Sequence, residues 1–92
     1  MRGTHDWEVE LGKRVQIIRK SQGLTQQELA ERSNVSRSAI KYFESGNGST
    51  LSTFVKVARA LGLDASFDQI FGVTPVASPM AAILAKRKTS RK

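Results

Sequence analysis

The chain has no cysteine and a single histidine among its 92 residues. Without thiols there is no disulfide framework and no thiolate metal site, and a reducing compartment is expected. His5, alone near the start, cannot build a metal centre or a nucleophile–base pair. Proline occurs only at Pro75 and Pro79, where GVTPVASP reads as a linker. No apolar run approaches the ~20 residues that a membrane helix needs. The opening MRGTHDWEVE mixes charges where a signal peptide would be apolar. The chain is therefore expected to be cytoplasmic, without membrane association. Paired carboxylates on one helix face are also missing, as is a glycine-rich phosphate loop after a strand. No enzymatic activity, no cofactor and no metal are expected.

Acidic residues are absent from one stretch. The net charge is +7, unevenly spread. Residues 1–68 hold ten Lys/Arg against all eight acids, whereas residues 69–92 hold five Lys/Arg and none. The excess belongs mostly to AKRKTSRK, a basic tail of the kind that suits nucleic acid or another anionic partner.

What is present is helical punctuation. Leu11, Val15 and Ile18 sit at helical spacing, predicting a first helix from about Asp6 to Gln22, stopped by Gly23. Asp6 and Glu8 near its start complement the helix dipole. Thr25 with Glu28 three residues on is a capping box, and Leu24 and Leu29 stand as a hydrophobic staple. That second helix ends near Ser33, where Asn34 is a natural left-handed turn residue and Val35 can plug the core. Ser36 caps a third helix reaching about Ser45.

After GNGS, Ser49 or Thr50 caps a fourth helix. Its core stripe is read as Leu51, Phe54, Val55, Ala58 and Leu61, with Gly62 as the stop. Residues 64–71 read as a fifth short helix, with an edge strand as the alternative. Ser78–Pro79 can open one more small helix, MAAILAKRK, at the first position of which proline is tolerated.

The third helix has two faces. At about 100° per residue, Arg37, Ser38, Lys41, Tyr42 and Ser45 share one arc, and Ala39, Ile40 and Phe43 fill the other. Two short helices joined by SNVS match the helix-turn-helix unit, whose second helix enters the DNA major groove. GLTQQELAERSNVSRSAIKYFESG resembles the Cro/repressor-type (Xre) helix-turn-helix family over about Gly12–Phe71. The resemblance implies an all-α, compact five-helix, lambda-repressor-like domain over residues 1–71. Residues 72–92 are then the linker and basic tail.

The resemblance also assigns roles. Ser36, Arg37, Ser38 and Lys41 match positions that read base edges. Arg37 can grip guanine O6 and N7 bidentately, and Lys41 can reach a guanine or a flanking phosphate. Tyr42, at the margin, either touches a thymine methyl or phosphate or packs partly on the core. Thr25 and Gln26 match phosphate-contacting positions at a helix N-terminus, with Thr25 chiefly a cap. Asn47, Ser49 and Thr50 follow the recognition helix, where phosphate is gripped in the family. Arg19 and Glu44 match an ion pair that braces the first helix against the third.

One helix reading about three base pairs supplies ~3–9 kcal/mol, while competition from the genome demands roughly 8–12 kcal/mol. A homodimer on palindromic double-stranded DNA is therefore expected. Its contact is expected at Phe67, Ile70 and Phe71, with packing inside the chain as the alternative.

NGSTLSTFVKVARALGL further resembles the fourth helix of HipB-like antitoxins. That likeness implies a repressor that autoregulates a toxin–antitoxin operon and binds a HipA-like kinase. The competing readings are a stand-alone phage, plasmid or metabolic regulator, and a protein-interaction module that no longer reads DNA.

Overall fold

A computed structural model of the chain describes residues 2–72. They form α1 (Thr4–Ser21), α2 (Gln26–Ser33), α3 (Arg37–Glu44), α4 (Leu51–Ala60) and α5 (Ser66–Ile70), with no strand among them. The all-α, five-helix architecture is the one expected, and the segment 64–71 holds the expected short helix, over Ser66–Ile70, and no strand. The linker, the small helix MAAILAKRK and the basic tail lie outside the described residues.

The helix boundaries follow from how loose backbone groups are satisfied. Thr25, Ser36 and Thr50 each offer a side-chain oxygen to the N–H three residues on, all at 3.0 Å. Such caps stabilise a helix start by about 0.5–2 kcal/mol each. α1 begins at Thr4, ahead of the expected Asp6, because the Asp6 carboxylate accepts the Gly3 N–H at 3.1 Å from within the first turn.

The first four helices all end through a residue with positive φ: Gly23, Asn34, Gly46 and Gly62. In each, the next residue's N–H folds back five residues, as from Leu24 to Arg19 O and from Leu63 to Ala58 O. This double closure consumes carbonyls that would otherwise be orphaned. Three of the four positions are glycine, which adopts that backbone without strain.

α2 packs on both α3 and α4, and α1 packs on α3. The core is Val15, Leu24, Leu29, Ala30, Ile40, Phe43, Val57 and Leu61, with Leu29, Ile40 and Val57 fully enclosed. Enclosing such a side chain contributes about 1.5–3 kcal/mol. Aromatic rings carry the core outward. Phe54 meets Phe43 edge-on at 5.8 Å and Phe67 at 5.8 Å, linking α3, α4 and α5.

The stripe expected on α4 is corrected at two positions. Leu51 is 77% exposed, while Val57, omitted from that stripe, is fully buried. At about 100° per residue, Leu51 lies about 120° around the helix from Val57. The face that meets α2 is centred on Val57, Ala58 and Leu61, so the first residue of the helix points away.

Candidate nucleic-acid interface

Residues Asn34–Ser36 separate α2 from α3, and each has a structural task. Asn34 takes the left-handed conformation, with φ 58 and ψ 45. Val35 donates its N–H to Ala30 O at 3.0 Å and packs on the core. Ser36 caps α3. Ile40 and Phe43 then anchor α3 inward, which fixes what faces out. Arg37, Ser38, Lys41, Tyr42 and Ser45 are exposed. Tyr42 is 59% exposed, so packing on the core is not its arrangement. The outward face thus offers a guanidinium, an ammonium, a phenol and small hydroxyls. Those are the donor types that base edges and phosphates accept.

Behind α3 lies a buried polar cluster. Arg19 Nε donates to Glu44 Oε2 at 2.6 Å and Arg19 Nη2 donates to Oε1 at 3.0 Å. Arg19 Nη1 donates to Leu24 O at 2.7 Å, and Gln26 Nε2 donates to Glu44 Oε1 at 3.1 Å. A bidentate, charge-assisted pair of this kind is the strong form of a side-chain hydrogen bond. No buried side-chain nitrogen or oxygen among the described residues lacks a partner. Glu44 is therefore neutralised and withheld from any approaching polyanion. Gln26 is half-buried and braces this cluster; only its second amide hydrogen and its backbone N–H remain for a phosphate.

The other candidate phosphate contacts are similarly divided. Thr25 and Glu28 cap each other, with the Thr25 N–H on the Glu28 carboxylate at 2.8 Å. The Thr25 backbone N–H first, and the Thr25 side-chain hydroxyl second, hold the Glu28 carboxyl below the usual carboxylate range. In the loop after α3, the Gly46 and Asn47 amides close the helix onto Phe43 O and Tyr42 O. The Gly48, Ser49 and Thr50 amides donate to nothing among the described residues. Ser49 Oγ donates to Thr50 O at 2.8 Å, and Thr50 Oγ1 caps α4. Asn47, Ser49 and Thr50 are all exposed.

α1 sets the position of this loop. Gly12 lies so close to α3 that a Cβ there would run into the Phe43 carbonyl oxygen. Val9 packs on Gly46, and the Glu8 carboxylate faces Gly48. A glycine inside a predicted helix signals close approach, and Gly12 carries that signal. Nothing in the sequence marks Glu8 or Val9 as neighbours of the loop.

The three apolar residues expected at a dimer contact separate. Phe67 is half-buried against Phe54, whereas Ile70 and Phe71 are 66% and 69% exposed. Among the described residues there is no group of three or more His, Asp or Glu that could hold a metal ion. No helix there is long and apolar enough to cross a membrane.

A family model, Helix-turn-helix, matches residues 15–67, more than half of the chain. That span contains α2, the turn, α3 and α4 entire. The chain belongs to the Cro/repressor-type helix-turn-helix family. It is also 44% identical over 57 residues to an immunity repressor protein of Bacillus phage phi105. The match covers 61% of this chain and 40% of the phage protein, so the chain corresponds to about two-fifths of that relative. Within the matched span α3 is the second helix of the helix-turn-helix pair, and residues 2–14 precede that span.

Proposed function

We propose that the chain is a sequence-specific DNA-binding transcriptional repressor that places α3 in the major groove. The observation that carries this reading is the division of α3. Its inner face and Glu44 are locked by the core and by Arg19, while Arg37 and Lys41 stand free on the outer face. Arg37, flanked by Ser36 and Ser38, reads a base; Lys41 reads a second base or a phosphate; Tyr42 contacts the groove margin. Thr25, Gln26 and the Asn47–Thr50 loop hold phosphates on either side.

The repressor acts as a homodimer on a palindrome, with half-sites about 34 Å apart. Ile70 and Phe71 supply the apolar contact, since both are held out from the core. Phe67 supports them from beneath. Phe71→Asp should leave the monomer folded and lower the dimer fraction in sedimentation; an unchanged dimer would remove α5 from the contact. Residues 1–71 form the DNA-binding domain, and the basic residues of 72–92 add phosphate contacts or reach a protein partner.

Two biological settings are supported by different observations. Similarity to a phage immunity repressor favours a regulator of phage or plasmid genes. The likeness of NGSTLSTFVKVARALGL to HipB-like antitoxins favours an operon shared with a HipA-like kinase, reached through residues 72–92. Co-purification of a kinase that is lost on deleting residues 72–92 selects the second.

Selection of duplexes from a random pool tests the central reading. A palindromic site should emerge, and affinity should fall by ~10³–10⁵ between 50 and 200 mM salt if ~6–10 phosphates are touched. Deleting residues 86–92 should flatten that dependence. Recovery of no preferred duplex would overturn the repressor reading and leave a protein-interaction module.

A further inference from the structure

Residues 2–14 lie ahead of the matched family span, yet they touch the end of α3 and the loop that follows it. Three contacts join them. Gly12 meets the Phe43 and Glu44 carbonyls, Val9 covers Gly46, and Glu8 Oε2 would lie 2.7 Å from a Cβ built on Gly48. Gly48 is buried beneath that carboxylate, with φ +91. The other carboxylate oxygen, Oε1, stands 3.5 Å from His5 Nδ1. Glu8 therefore spans from the first turn of α1 to the loop.

The loop Ser45–Thr50 has no charged side chain of its own. Its unspent amides begin at Gly48, the residue that Glu8 covers. A phosphate drawn to those amides meets a carboxylate held against the same backbone.

We propose that Glu8 is an electrostatic brake on phosphate binding by the Gly48–Thr50 amides, set by the N-terminal turns of α1. The brake rests on the repressor reading, because it requires DNA at this loop. Glu8 touches no base, so it limits affinity for every duplex equally and leaves the choice of sequence to α3. Like charges a few ångströms apart near a wet surface interact by an amount equal to about a three- to tenfold change in affinity. The interaction weakens as salt shortens the Debye length.

Fluorescence anisotropy of the full chain tests this with two labelled 20-base-pair duplexes, the site recovered by selection and a scrambled control. Glu8→Gln keeps the size and hydrogen-bonding shape of the side chain and removes its charge. It should tighten binding about three- to tenfold at ~50 mM salt. The gain should be equal on both duplexes and shrink at higher salt, with at most a small fall in melting temperature, because Glu8 also complements the dipole of α1. Glu31→Gln alters the net charge identically but sits on α2, and should tighten binding by less. Unchanged or weaker binding by Glu8→Gln, or an equal gain from Glu31→Gln, overturns the brake while the repressor reading stands. If the unaltered chain binds neither duplex, both fall together.

Discussion

α1 carries two arginine–carboxylate pairs of similar Nε–Oε2 distance on opposite faces, the inner one bidentate and the outer one single. Arg14 Nε meets Glu10 Oε2 at 2.8 Å on the outer face; Arg19 Nε meets Glu44 Oε2 at 2.6 Å on the inner one. Distance does not separate them. Burial and chain separation do. The outer pair is exposed and one helical turn apart, next to Trp7 and Arg2. The inner pair is enclosed and joins residues 25 apart in sequence. A pair in water can lose its geometry at little cost, because each charge is solvated alone. A buried pair stripped of one partner leaves an uncompensated charge, which costs about 3–5 kcal/mol. Arg37 makes a third case, exposed and without an ion pair among the described residues. Its charge is available to something outside the chain.

The largest effect should come from breaking the inner pair on one side. Glu44→Ala strands the Arg19 guanidinium and should destabilise the fold by about 3–5 kcal/mol, much of the margin of a small domain. Thermal melting followed by circular dichroism measures it. The double replacement Arg19→Met, Glu44→Leu should cost less than Glu44→Ala, because it leaves no orphaned charge. If the double replacement is the worse of the two, the pair itself is favourable beyond its desolvation.

The seam beside that pair can be tested without touching charge. Gly12→Ala improves helix propensity by about 1 kcal/mol in an open helix. Here its methyl meets the Phe43 backbone carbonyl, and overpacking of that kind costs about 1–3 kcal/mol. Net destabilisation in urea unfolding is expected. A gain in stability would mean that α1 and α3 can move apart freely, and that the loop is not positioned by α1.

The pairs also show how far the sequence could be read. Caps, stops and the two faces of α3 were legible because each rests on local chemistry. A side chain reaches an amide three residues away, or a left-handed residue closes a helix. Arg19 and Glu44 came into view only through the resemblance to a family, since nothing local links residues 25 apart. Val57 was missed because a periodic pattern gives the existence of an apolar face but not its centre, which α2 decides. The contacts of Glu8 and Val9 with Gly48 and Gly46 depend on the angle at which α1 crosses the loop, and no spacing encodes that angle. The family pattern gives Gln26 a phosphate role alone, whereas its amide also supports Glu44.

Arg37 is expected to behave as neither pair does. Arg37→Ala removes an exposed side chain, so stability should stay within about 0.5 kcal/mol. Binding to the selected duplex should weaken by about 1–3 kcal/mol, with relaxed preference at one base pair. Titration against duplexes altered at each position of the site measures both. Equal weakening on every sequence would reassign Arg37 to phosphate.

The smallest effect belongs to the outer pair, and pH sharpens the contrast. The Arg14 hydrogen bond, chiefly, holds the Glu10 carboxyl below its usual range, with further help from the Arg2 and Lys13 charges. A carboxyl whose folded value is depressed stabilises the fold above its ordinary range and loses that contribution as pH falls through the folded value. Glu10→Gln should therefore melt slightly below the unaltered chain at neutral pH and low salt. The two melting curves should converge on acidification, and again in concentrated salt. Persistence of the difference in acid would assign it to packing of the Glu10 stem rather than to its charge. The outer pair would then resemble the inner one in holding a neighbour in place, and burial alone would no longer explain why one of them matters so much more.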